Sequence, residues 1–207
     1  MEERKMEERR DECSSNKCED SEGQTPFYYK RLRASFPGPE TKALAHLEAL
    51  RRLRDDHPLQ YVFIETEDAV MLYVEGDEFL FIDYIAVDVE KRGTGIGTKM
   101  IMSLIEQSIR KDKFMLLEVD PPSTEEDKKR IAFYERLGLE LYPEIAYSRL
   151  WSYDPSSPPC QMLLMATPGT PQELVRNAMR QVYLHIHSWK MKDFYGFDPP
   201  SVDLILP

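Results

Sequence analysis

At 207 residues the chain is long enough for one sizeable core and short for two. Its formal net charge of -10 excludes a general nucleic-acid binder, which needs a basic face for the phosphates, and suits a cationic partner better. No apolar run is long enough to cross a bilayer, and the opening "MEERKMEERRDECSSNKCEDSEGQ" lacks the apolar centre of a signal peptide, so the expected setting is cytoplasmic, away from membranes.

The first 25 residues carry mixed charge and almost no large apolar side chains. They cannot bury enough surface to offset the entropy of ordering and read as a disordered charged tail. Cys13 and Cys18 lie within it, four residues apart, and Cys160 stands far downstream. That is no disulfide framework, and without a second ligand pair the thiols read as reduced and unpaired, with no metal.

Ordered structure is expected from Phe27, where "FYYKRL" predicts a strand ended by Pro37 and Pro39. From Thr41, leucines at 44, 47, 50 and 53 recur at helical spacing until "DDHP" stops them. "QYVFIETE", "AVMLYVEG" and "EFLFIDYIAV" are β-branched and aromatic runs separated by turn residues, which predicts three antiparallel strands. A helix over 98–110, the strand "KFMLLEVD" and a helix in "STEEDKKRIAFYERLG" follow. Ser123 or Thr124 caps that helix with Glu126 or Asp127, and Gly138 ends it. "AYSRLWSY" and "CQMLLMAT" form a last strand pair across the proline-rich "DPSSPP". A final helix opened by Thr170 and Pro171 runs toward His187 with Leu174, Val175, Ala178, Met179, Val182 and Ile186 on its apolar side.

This order of elements predicts an α/β or α+β layered domain around a mixed sheet. Its expected division is the tail over 1–25, a domain over 26–168, and a C-terminal helix with its extension over 169–207, which packs over the acceptor site or forms a homodimer face. His185 and His187, two apart on a helix, point to different sides and make no metal pair; His46 and His57 read as surface positions.

The most informative stretch is "YIAVDVEKRGTGIGTKM", where a strand turns into a helix through Gly93, Gly95 and Gly97. The first amides of a helix lack intrahelical acceptors and carry the positive end of its dipole, and glycines let a ligand come close to them. Lys91 and Arg92 add positive charge. A Walker loop would need glycine at 98, where Thr98 stands. A dinucleotide fingerprint would need glycine at 98 or 100, where Thr98 and Met100 stand, so both are excluded. A turn that merely redirects the chain is the alternative.

The pattern R-x-x-G-x-G after an apolar-Ala-Val triplet, here Arg92, Gly95 and Gly97 after "IAV", resembles the acyl-CoA loop of the GCN5-related N-acetyltransferase (GNAT) superfamily. "RIAFYERLGL" is similar to that family's second signature, a helical tyrosine before Leu-Gly. "LLEVD" resembles the strand of the subgroup that includes the ribosomal-protein alanine acetyltransferases. The likeness runs from about Phe27 to Thr167. It implies a mostly antiparallel mixed sheet flanked by helices, whose fourth and fifth strands splay apart so that pantetheine lies between them. Ile85, Ala86 and Val87 would pair with pantetheine, and the amides of Arg92, Gly93, Thr94, Gly95, Ile96, Gly97 and Thr98 would hold the pyrophosphate of acetyl-CoA as co-substrate. The family's asparagine before the tyrosine helix has no counterpart in "DPPSTEEDKKR".

An alkylammonium is almost wholly protonated at neutral pH, so attack on a thioester needs a base, and the departing thiolate needs a proton. Glu118 in "LEV" matches the base of the alanine acetyltransferases. Asp83, read by the two-residue period as sharing a face with Ile85 and Val87, is the other candidate base. Tyr134 matches the tyrosine that protonates the thiolate. The resemblance thus implies an N-acetyltransferase acting by direct attack on a small-molecule or protein amine. Acids at Asp83, Glu118 and over 125–127 would favour a small cationic amine. The alternative is a non-catalytic acyl-CoA-binding or regulatory module, which would need the glycines and no thiolate acid.

Overall fold

The computed structural model describes residues 25–36, 38–149, 153 and 160–207. The charged stretch that carries Cys13 and Cys18, and the connection over 154–159, lie outside them.

Residues expected to open the fold as a strand form instead a helix, α1 (Phe27–Ser35), and tertiary contacts explain why. Tyr28, Arg31 and Leu32 are spaced i, i+3 and i+4 and turn inward together. The Tyr28 ring meets Phe63 edge-on at 5.4 Å, and the Arg31 guanidinium bonds Asp88 at 2.5 and 2.8 Å and the Glu67 carbonyl at 2.6 Å. The aromatic content that suggests a strand is overridden by this packing. Phe36, extended before Pro37 as the residue before a proline must be, ends the helix.

After α2 (Leu44–Leu50), the strands β1 (Gln60–Glu65), β2 (Ala69–Glu75) and β3 (Phe79–Val87) make the expected antiparallel meander. Then come α3 (Ile96–Arg110), β4 (Phe114–Val119) and α4 (Glu125–Arg136). Thr124 and Asp127 close a reciprocal capping box on α4. β5 (Glu140–Leu141) is too short to leave a periodic signal. β6 (Ser148–Arg149) and β7 (Cys160–Gln161) pair with each other, and the remainder of the expected last strand, β8 (Leu163–Ala166), crosses to β4 and β5. The chain ends with α5 (Gln172–Val182), a π-helical turn over Tyr183–His187, α6 (Met191–Tyr195) and α7 (Val202–Ile205). No helix among the described residues is long and apolar enough to cross a membrane.

The sheet order is β1-β2-β3-β4-β8-β5, antiparallel except where β4 runs parallel to β3. One face is covered by α1, α2, α5 and the C-terminal turns, which bury Leu32, Leu47, Met179 and Ile186 against Leu72, Phe81, Leu116 and Leu164. The other is covered by α3 and α4, which bury Ile101, Leu104 and Ile131 against Met71, Leu80, Leu117 and Met165. The C-terminal helix and turns therefore join the first of the two cores.

Two features of this sheet make the site. Pairing of β3 with β4 runs from Phe79↔Phe114 to Ile82↔Leu117, and no pairing between them is found beyond it among the described residues. At the same point β3 bulges: Tyr73 faces Ile82 and Leu72 faces Tyr84, which leaves Asp83 as the extra residue.

Candidate acyl-transfer site

Past the last β3–β4 pair, the strands part around a cavity of about 810 Å³. It begins at the glycine turn before α3, runs between the residues 82–87 of β3 and 117–120, and reaches Lys42, Tyr153, Met162 and His187 beyond the sheet. Glu118, Asp83, Tyr134, Ile85, Ala86, Val87, Arg92, Gly93, Gly95, Ile96, Gly97 and Thr98 all line it. Thr94 does not, since its hydroxyl turns back to the Lys91 carbonyl at 2.7 Å.

The turn itself is built by two left-handed glycines, Gly93 at φ 77° and Gly95 at φ 86°, the latter the N-cap of α3. A residue with a Cβ is strained there, and the space in front of both is open. The first intrahelical bond runs from Lys99 N–H to the Gly95 carbonyl at 2.9 Å, so the amides of Ile96, Gly97 and Thr98 precede it, and these three residues line the cavity. Arg92 braces the turn, donating to the Val87 carbonyl at 3.2 Å and the Ser35 hydroxyl at 3.4 Å. This end of the cavity offers several backbone donors, a helix dipole and two nearby cations, the requirements for holding a pyrophosphate.

Tyr134 and Glu118 lie on opposite faces of the sheet and meet the same cavity through the gap. Tyr134, on α4 and 8% exposed, belongs to the α3–α4 face. Burial pushes its phenol up to about 12, so it keeps its proton at neutral pH. Glu118 alternates with Leu117 and Val119, which pack on the α3–α4 face, and so points to the opposite one; there the Tyr147 hydroxyl donates to its Oε2 at 2.5 Å.

Asp83 lines the cavity, but not on the strand face expected of it. The bulge breaks the two-residue period, so that Ile82, Ile85 and Val87 pack on the α3–α4 face while the Asp83 carboxylate turns to the other. There Lys42 Nζ donates to its oxygens at 2.7 and 3.0 Å, and the Tyr61 hydroxyl donates to Oδ2. Both charged side chains are sequestered, at 0% and 3% exposure. The rings of Tyr84 and Tyr153 lie 4.9 and 5.4 Å from the same ammonium. The acids over 125–127 do not line the cavity as expected of groups that favour a cationic amine: Asp127 serves only the expected cap of α4, and Glu125 pairs with Lys128.

Lys42, Tyr61, Tyr147, Tyr153 and His187 escaped sequence reasoning, because nothing local marks a residue that reaches the site from a distant segment. His187 is brought there by the π-helical turn, whose i→i+5 bond runs from Ser188 N–H to the Tyr183 carbonyl at 2.8 Å.

His46 is not a surface residue either. It is fully buried, stacked on Phe194 at 4.7 Å, with Tyr195 Oη 3.0 Å from Nδ1. Burial, and then the charge of Lys42, four residues earlier and just before α2, push its imidazole down to about 3. Its folded value lies below the unfolded value of about 6.5, so the stability it contributes is complete above that pH and falls as the pH drops toward 3. Between pH 6.5 and 4.5 the loss is expected to be about 2–3 kcal/mol. His46→Phe should flatten the fall in Tm over that range; equal slopes in both proteins would remove His46 as its source. His57 is half-buried beside His185 and Trp189. Among the described residues no group of His, Cys, Asp and Glu could hold a metal ion.

The sequence profile of the Acetyltransferase (GNAT) family matches residues 25–139. The chain is 32% identical over 181 residues to YjbC of Bacillus subtilis (strain 168), whose name marks it as a presumed acetyltransferase, an alignment covering 86% of this chain and 91% of YjbC. A solved structure from Bacteroides thetaiotaomicron, a presumed acetyltransferase from the GNAT family, superposes with a TM-score of 0.62 at 24% identity, over 77% of this chain and 90% of that one, a likeness of fold.

Proposed function

Since the chain belongs to the GNAT acetyltransferase family, we propose that it transfers the acetyl group of acetyl-CoA to a primary amine by direct attack within a ternary complex. The observation that carries this reading is the single cavity joining the glycine turn to Glu118 and Tyr134 through the gap between β3 and β4.

The amides of 96–98 and Arg92 would hold the pyrophosphate, and the unpaired edge of β3 over 83–87 would align the pantetheine arm as an added strand. Glu118 takes the proton from the acceptor ammonium on the α2–α5 side. Tyr134, protonated at neutral pH, returns one to the thiolate from the α3–α4 side. Asp83 is a poorer candidate for the base, because Lys42 and Tyr61 already occupy its oxygens.

Acetyl-CoA titration by calorimetry, followed by free-thiol release across amines and peptides, tests the proposal. Saturable binding with amine-dependent release supports it; binding without turnover on any acceptor would favour the acyl-CoA-binding module, and no binding would overturn the cavity's assignment. Tyr134→Phe should keep acetyl-CoA affinity and lower turnover about a hundredfold or more. Unchanged turnover would remove Tyr134 from proton delivery.

A further inference from the structure

The ion pair of Lys42 and Asp83 is unused by the chemistry above, yet it sits at the point where β4 leaves β3. We propose that it is a positioning device for the acyl thioester: it fixes the bulged course of β3 and so keeps the backbone edge over 83–87 open and aligned for the pantetheine arm. The inference rests on the acetyl-CoA reading of the cavity.

The bonds converge on the bulge from two directions. From the segment before α2, Lys42 Nζ reaches both Asp83 oxygens, the Lys42 N–H donates to Tyr84 Oη at 3.2 Å, and the Tyr84 hydroxyl donates to the Glu40 carbonyl at 2.7 Å. From β1, the Tyr61 hydroxyl donates to the same carboxylate. The bulged residue and the one after it are thereby tied to two distant segments by directional bonds.

The need for such ties follows from register. Without the extra residue the period of β3 would continue, and Ile85 and Val87 would exchange faces with Tyr84 and Ala86. An apolar pair could fill the same volume more cheaply than two desolvated charges, but it would let the strand slide. Lys42 is therefore a positioning residue, with its ammonium committed to Asp83.

The test is a ligand comparison in Lys42→Met/Asp83→Leu, which removes both charges together and retains bulk, against the unmodified protein. The probes are acetyl-CoA and 3′-phospho-ADP, the nucleotide half that lacks pantetheine. The paired variant is expected to bind 3′-phospho-ADP within about twofold of the original, while its affinity for acetyl-CoA falls about tenfold or more, the loss of one or two charge-assisted bonds' worth of alignment. Retained acetyl-CoA affinity, or an equal loss for both probes, would overturn the positioning role. Should the original protein bind neither probe, the acetyl-CoA reading falls, and this proposal with it. If the paired variant does not fold, Tyr61→Phe removes one bond to Asp83 without touching charge. It should raise the KM for acetyl-CoA about threefold to tenfold with 3′-phospho-ADP binding unchanged; an unchanged KM would overturn the proposal.

Discussion

Glu118→Gln is expected to lower turnover about a hundredfold to ten-thousandfold while leaving acetyl-CoA affinity within about twofold, the size of a lost general base. The substitution is nearly isosteric, and an amide oxygen can still accept the hydroxyl of Tyr147, which now donates at 2.5 Å. Backbone pairing of Glu118 with Leu164 is untouched, so the strand should hold its course. What disappears is the capacity to take a proton. The residual rate should then rise about tenfold per pH unit up to the acceptor's own pKa, near 10.4 for an alkylamine, because only the spontaneously deprotonated fraction reacts. Steady-state kinetics with the best acceptor from the amine panel decide the matter. An unchanged kcat at neutral pH would assign deprotonation elsewhere.

Lys42→Met is expected to be among the most destabilising single changes in the chain, at about 3–5 kcal/mol, because it leaves the Asp83 carboxylate buried at 3% exposure without its counter-charge. For a chain of this size that corresponds to a fall in Tm of roughly 6–20 °C. The paired Lys42→Met/Asp83→Leu change should recover most of the loss, since removing both charges also removes their desolvation cost. A thermal melt of the two variants measures this coupling directly. A single variant within about 1 kcal/mol of the original would mean that water from the cavity reaches Asp83 and solvates it.

Parts of this architecture are legible in local sequence because they depend on local physics. The meander of β1 to β3 is written in three alternating runs, the α4 cap in Thr124 and Asp127 three residues apart, and the turn before α3 in glycines whose positive φ few other residues tolerate. Tyr134 and Glu118 are legible by resemblance, and both line one cavity. The first element is not legible locally, because "FYYKRL" has strand-like aromatics and the contacts that favour a helix, such as Tyr28 on Phe63 and Arg31 on Asp88, 57 residues away, come from distant segments.

Local sequence suffices for the glycine turn before α3, the order of most elements and the likeness to the family, because these rest on short-range spacing: helix dipoles, caps and strand periods act within a few residues. Tertiary structure alone decided which partners hold the two carboxylates that line the cavity. A single extra residue in β3 puts Asp83 on the opposite face from Ile85 and Val87, and the lysine that neutralises it comes from a segment 41 residues earlier. The burial of His46, and the arrival of His187 through a π-helical turn, have the same origin, since each depends on what other segments pack around the residue. Charge burial and strand register are properties of the assembled sheet, and no local pattern encodes them.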